Sequence, residues 1–104
     1  MPWYVYLAYF FGGAFLVNAV PHFVSGVCGR PFPSPFASPP GRGMSSPMVN
    51  VLWGFFNLAI GYVLVCRVGE FHIRNWLDVG SLGAGGLLMA VMLGQTFGSR
   101  LTGS

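Results

Sequence analysis

Asn18-Ala-Val-Pro-His-Phe-Val-Ser-Gly26 closes an apolar run that begins at Trp3 and carries no charge. As a helix rising 1.5 Å per residue, the run from Trp3 to Val24 covers roughly 30 Å, the thickness of a bilayer's hydrocarbon core. Pro21 has no N–H for the carbonyl of Val17 and its ring crowds the preceding turn, so a kinked or frayed helix is expected there. Asn18 and His22 are spaced i, i+4 and share one face. Polar side chains are costly in hydrocarbon and turn toward a partner or a cavity, which makes this face the first candidate for function.

Composition points to lipid. Of the 104 residues 54% are apolar and 7% charged, against roughly 25% charged in ordinary globular chains. The net charge of +3 comes from five arginines against Glu70 and Asp78, with no lysine. The arginines form no cluster, so the positive balance does not indicate nucleic acid. Arginines at the borders of membrane spans account for it more simply.

The fold class expected is an all-α integral membrane protein of one domain, residues 1–104, with three transmembrane helices over about 3–25, 47–67 and 79–98. Trp3, Tyr4, Tyr6 and Tyr9 crowd the start of the first span, as aromatic side chains do at the headgroup level. A cleaved signal peptide is disfavoured by the length of the run and by the lack of an arginine or lysine before it. Ser46 and Pro47 suit the N-cap and first position of the second span. Between the second and third spans, Arg67 to Asp78 mixes charged and apolar residues and reads as a short interfacial helix anchored by Trp76. The tail from Gly98 to Ser104 is expected to be loose.

Residues 27–47 hold six of the eight prolines. Extended at about 3.1 Å per residue, this loop reaches some 60 Å, whereas adjacent helix ends lie about 10 Å apart. The excess chain folds back over the helices or covers a partner. Phe32 and Phe36 are its apolar anchors, as partner contacts or as side chains dipping into the interface.

Small residues mark the packing faces. Ala8, Gly12, Phe15 and Ala19 line the first span; Asn50, Gly54, Asn57 and Gly61 fall on one stripe of the second. Gly83, Gly86, Ala90 and Gly94 line one side of the third, a small-xxx-small pattern. Counting inward from the loop face sets His22 level with Asn50, and Asn18 near Asn57.

Three readings of that polar face stay open. Asn18, His22, Asn50 and Asn57 hydrogen-bond across the helix pair and hold its register, each bond contributing about 0.6–2 kcal/mol. Alternatively His22 is the axial ligand of a haem or chlorophyll, with Gly26 or Gly54 making room for the ring. In the third reading the asparagines line the path of a small channel or carrier, although no intramembrane carboxylate is evident to couple protons. No catalytic residues and no metal ligands are assigned, because His72 is the only side chain that joins Glu70 and Asp78 and they make a solvated face. Cys28 and Cys66 fall on opposite membrane faces, too far apart for a disulfide.

The function expected is therefore non-enzymatic. The chain is an accessory subunit of a larger membrane complex or a homo-oligomeric bundle, in contact with lipid and with other membrane subunits or copies of itself, in a bacterial-type inner membrane. Arg30, Arg42 and Arg100 on one face against Arg67 and Arg74 on the other leave the orientation open.

Overall fold

A computed structural model describes residues 2–37, 39–40 and 43–102. Helix α1 spans Trp3–Val27, strands β1 and β2 cover Phe32–Pro33 and Met44–Ser45, helix α2 spans Pro47–Cys66 and helix α3 spans Trp76–Thr102. The three helices are long and apolar enough to cross a membrane. The molecule measures 42 Å along its longest axis, close to the roughly 40–45 Å of a bilayer with its headgroups.

α1 is the central helix. It packs antiparallel on α2 and alongside α3, while α2 and α3 scarcely touch each other. Burial follows: 33% of the most apolar stretch of α1 is buried, 28% of α2 and 17% of α3. The outer faces of α2 and α3 expose Leu52, Phe55, Tyr62, Leu87 and Val91, an arrangement stable where the solvent is itself apolar.

Backbone proximity sets both helix contacts. On the α2 side, a Cβ on Gly54 would lie 2.7 Å from the backbone nitrogen of Phe23, and one on Gly61 would lie 2.5 Å from Leu16. Gly12 abuts Val65 and Leu64, and Gly26 abuts Val51 and the carbonyl of Pro47. On the α3 side, a Cβ on Gly13 would meet the carbonyl of Leu82, and one on Gly85 would run into the carbonyl oxygen of Phe10. Gly86 lies beside Val17 and the Gly13 carbonyl.

The α3 stripe therefore differs from the one expected. Gly86 packs, but Gly83 and Gly94 look into open space and Ala90 is exposed. Residues 83–86 are Gly-Ala-Gly-Gly, so small side chains occupy nearly every face of that turn and α3's own pattern does not choose among them. Gly13 on α1 decides the phase, because it admits the α3 backbone at Leu82 and Gly86.

Three further expectations change. Of the kink or fray expected at Pro21, the fray is not formed: α1 stays helical through it. The stretch between α2 and α3 holds no interfacial helix; it is a turn that leads into α3 at Trp76, and α3 continues helical to Thr102. Asn75 explains the early start: its Oδ1 accepts from the backbone N–H of Leu77 (2.9 Å) and Asp78 (3.2 Å), as an N-cap side chain does. Arg42 lies outside the described residues, as does the side chain of Arg100.

Gly83 and Gly85 separate the two faces of α3 by experiment. Gly85→Ala should lower stability by about 1–3 kcal/mol, because a backbone carbonyl cannot move aside. Gly83→Ala should leave stability unchanged or raise it, since it adds helix propensity into open space. Reversible unfolding in mixed micelles measures both; equal losses would show that Gly85 is not the contact point.

Candidate functional site

The first helix must stop sharply for the site to form. Gly29 takes φ +74° just beyond the C-cap Cys28. Its N–H donates to Gly26 O (3.0 Å) and that of Arg30 donates to Ser25 O (2.8 Å), the double bond pattern of a glycine-terminated helix. Redirected there, the chain lays β1 over the α1–α2 seam, paired antiparallel with β2 at Phe32↔Ser45 and Pro33↔Met44. Ser34 shares a 2.5 Å hydrogen bond with Ser45, both hydroxyls buried, and its Oγ also accepts from Phe36 N. Ser46 then caps α2, its Oγ accepting from Val49 N with Pro47 at the first turn.

Asn50, fully buried, joins these parts. Its Nδ2 faces the carbonyls of Phe32 (3.0 Å), Ser45 (3.2 Å) and Ser46 (3.1 Å). Its Oδ1 therefore faces His22, whose Nδ1 donates across 2.8 Å. In the neutral imidazole that leaves Nε2 as the unprotonated nitrogen. His22 is 3% exposed, edge-on to Phe32 (ring centres 5.4 Å apart) and to Trp53 (6.4 Å).

A second rung lies deeper. Asn18 Nδ2 donates to Asn57 Oδ1 at 3.0 Å, and Asn57 Nδ2 donates to the Trp53 carbonyl one turn earlier at 2.7 Å. The structure thus brings the four polar side chains together as two pairs. Gly12, Gly26, Gly54 and Gly61 let the helices approach closely enough for such short side chains to meet. The space beside Gly26 and Gly54, which a tetrapyrrole would need, is filled by Val51 and by the Phe23 backbone.

The two anchors of the loop behave differently. Phe32 is half-buried between His22 and Phe97, the latter 4.8 Å away centre to centre. Phe36 rests on Trp53 at 5.1 Å but stays 66% exposed. Behind them, Asn18, His22, Ser34, Trp53 and Phe97 border a cleft of about 190 Å³. The indole N–H of Trp53 is buried with no hydrogen-bond partner among the described residues.

Asp78 departs most from the sequence reading. It is 1% exposed rather than solvated, with Oδ2 accepting from His72 N at 3.0 Å. Its Oδ1 and the hydroxyl of fully buried Tyr9 both lack a hydrogen-bond partner among the described residues. The available signal was Asn75-Trp-Leu-Asp78, the spacing of a helix cap and an acid in the first turn, although Asp78 reaches past Asn75 to the N–H of His72. Glu70 stays exposed, 3.9 Å from His72. Among the described residues no three His, Cys, Asp or Glu side chains lie together as a metal site. Cys28 and Cys66 are exposed free thiols at the ends of α1 and α2. Compared with known proteins, the chain matches no family, no curated protein and no solved structure.

The two rungs should differ in consequence. Asn50→Leu removes every bond that ties the hairpin and His22 to α2, leaving buried carbonyls unpaired at about 1–3 kcal/mol. Asn18→Leu should cost only about 0.6 kcal/mol, the average for a bond between membrane helices. Unfolding midpoints measure the difference, and limited proteolysis within residues 34–43 should speed up for Asn50→Leu alone. Equal proteolysis of both variants would show that Asn50 does not hold the hairpin.

Proposed function

We propose that the chain is a non-enzymatic integral membrane protein that works by packing, as a small subunit of a larger membrane assembly or of an oligomer of itself. One observation carries this reading: α2 and α3 each rest on α1 and not on each other, so their outer faces stay apolar and unpartnered. On α3, Gly83 looks into open space, and Ala90 and Gly94 border the open gap beside Val17, Val20 and Pro21 of α1; such small residues let another membrane helix come close. Helical spans suit a plasma-type inner membrane, since outer-membrane-type proteins are barrels.

The polar face fits a structural role within such a protein. Asn18, His22, Asn50 and Asn57 bond to one another and to the hairpin rather than lining an open path. For a tetrapyrrole on His22, the remaining cleft of about 190 Å³ is below the roughly 300–1,000 Å³ usual for ligand sites. These features favour packing over ligand binding or transport.

Two measurements test the reading. Gly83→Leu combined with Gly94→Leu should weaken assembly, seen as a smaller complex on native gels, with the melting temperature of the chain itself unchanged. A wild-type chain that is monomeric and alone after mild extraction from its native membrane would end the proposal. Impermeant thiol reagents on sealed vesicles should modify Cys28 and Cys66 from opposite sides. Labelling of both from one side in a uniformly oriented preparation would rule out three spans.

A further inference from the structure

α1 and α3 touch most closely where Gly13 meets Leu82 and Gly85 meets Phe10. Toward the start of both helices the side chains grow larger and the helices separate. Trp3, Tyr6, Leu7 and Phe10 of α1 then face Trp76, Leu77 and Gly80 of α3 across an almost wholly apolar cleft of about 640 Å³. Trp3 and Trp76 stand at its mouth, 73% and 89% exposed, as indole rings do at the headgroup level. Nothing approaches the Gly80 position within 4 Å, so the cleft is open at its centre.

The chemistry at the mouth is one-sided. Trp76 also borders a second, shallower groove with Ile73, Arg74, Asn75 and Val79. Across both grooves Arg74 is the only charged lining residue, and no carboxylate borders either. Asp78 is turned inward onto His72 N, and Glu70 lies beside His72. The amides of Leu77 and Asp78 are already taken by Asn75, and the Arg74 guanidinium is the cationic group that borders the grooves.

We infer that this is a binding site for an anionic phospholipid, with an acyl chain in the cleft between α1 and α3 and the phosphate headgroup at Arg74. The assignment rests on the membrane reading above and adds a headgroup preference to it. The apolar cleft takes the chain of any phospholipid. Arg74 supplies the discrimination, because a guanidinium beside the surface favours a net negative headgroup over a zwitterionic one. A second copy of the protein is a poorer occupant, since it would bring an arginine of like charge to the same mouth.

Native mass spectrometry of the detergent-purified chain tests this, with phosphatidylglycerol or phosphatidylcholine of matched acyl chains added. Wild-type protein should retain phosphatidylglycerol about fivefold better, the factor for one arginine near the surface. Arg74→Gln should bring the two lipids to parity while the melting temperature stays put. Gly80→Leu, whose Cβ meets nothing within 4 Å and whose side chain fills the open centre of the cleft, should lose both lipids and keep its helical content. Equal retention of the two lipids by the wild type, or an unchanged preference in Arg74→Gln, would overturn the site while leaving the membrane reading intact. Disulfide-linked dimers formed through Gly80→Cys would overturn it in favour of a second copy. A chain that fails to partition into membranes would instead remove the reading on which the site rests.

Discussion

The hydrogen bond between His22 Nδ1 and Asn50 Oδ1 ties the seam of α1 and α2 to the hairpin that covers it. A two-residue ladder such as β1–β2 is too short to persist alone. Its stability comes from beneath, where the Asn50 amide reaches the carbonyl of Phe32 on one strand and of Ser45 on the other. The same side chain holds α1 through His22. One buried amide thus spans three elements, and in an apolar environment its alternatives are all unsatisfied. The buried Ser34–Ser45 pair and the edge-on packing of Phe32 on His22 then close the hairpin over the helix pair.

That bond in turn depends on glycine. Asparagine and histidine are short, and they meet between helices only where the backbones come unusually near. Gly54 places α2 against the backbone of Phe23, and Gly26 places α1 against Pro47 and Val51. A side chain at either position would push the helices apart by more than a hydrogen bond tolerates. Small residues and polar residues therefore act as one device in this seam: the first set the distance and the second use it.

Much of this was legible in the sequence because the relevant signals are local. Uncharged runs of bilayer length, Ser46-Pro47 before the second run, and the i, i+4 spacing of Asn18 and His22 each depend on a few neighbouring residues. The depth match of Asn18 with Asn57 and of His22 with Asn50 followed from counting along two antiparallel helices. The phase of α3 was not legible, since Gly83-Ala84-Gly85-Gly86 offers small residues on several faces and Gly13 on another helix makes the choice. Asp78 was misread for a related reason. In a window of charged residues it resembles a solvated face, and only the Asn75 cap and the turn at His72 fold it inward.

The two seams of α1 are built on different physics, and the contrast bears on how the molecule deforms. The α1–α2 seam combines glycine contacts with directional bonds at two depths, so sliding or rotation breaks hydrogen bonds between buried groups. Among the described residues no side-chain hydrogen bond joins α3 between Val79 and Phe97 to another helix; backbone contact at Gly13, Gly85 and Gly86 holds it instead. Such contact resists approach but has no preferred angle, and the helices diverge on both sides of it, toward Trp3 and Trp76 at one end and toward Phe32 and Phe97 at the other. Those gaps lie apart from the Asn18–Asn57 and His22–Asn50 pairs of the polar seam. α3 is therefore the element least constrained in angle, while directional hydrogen bonds tie α1, α2 and the hairpin to one another.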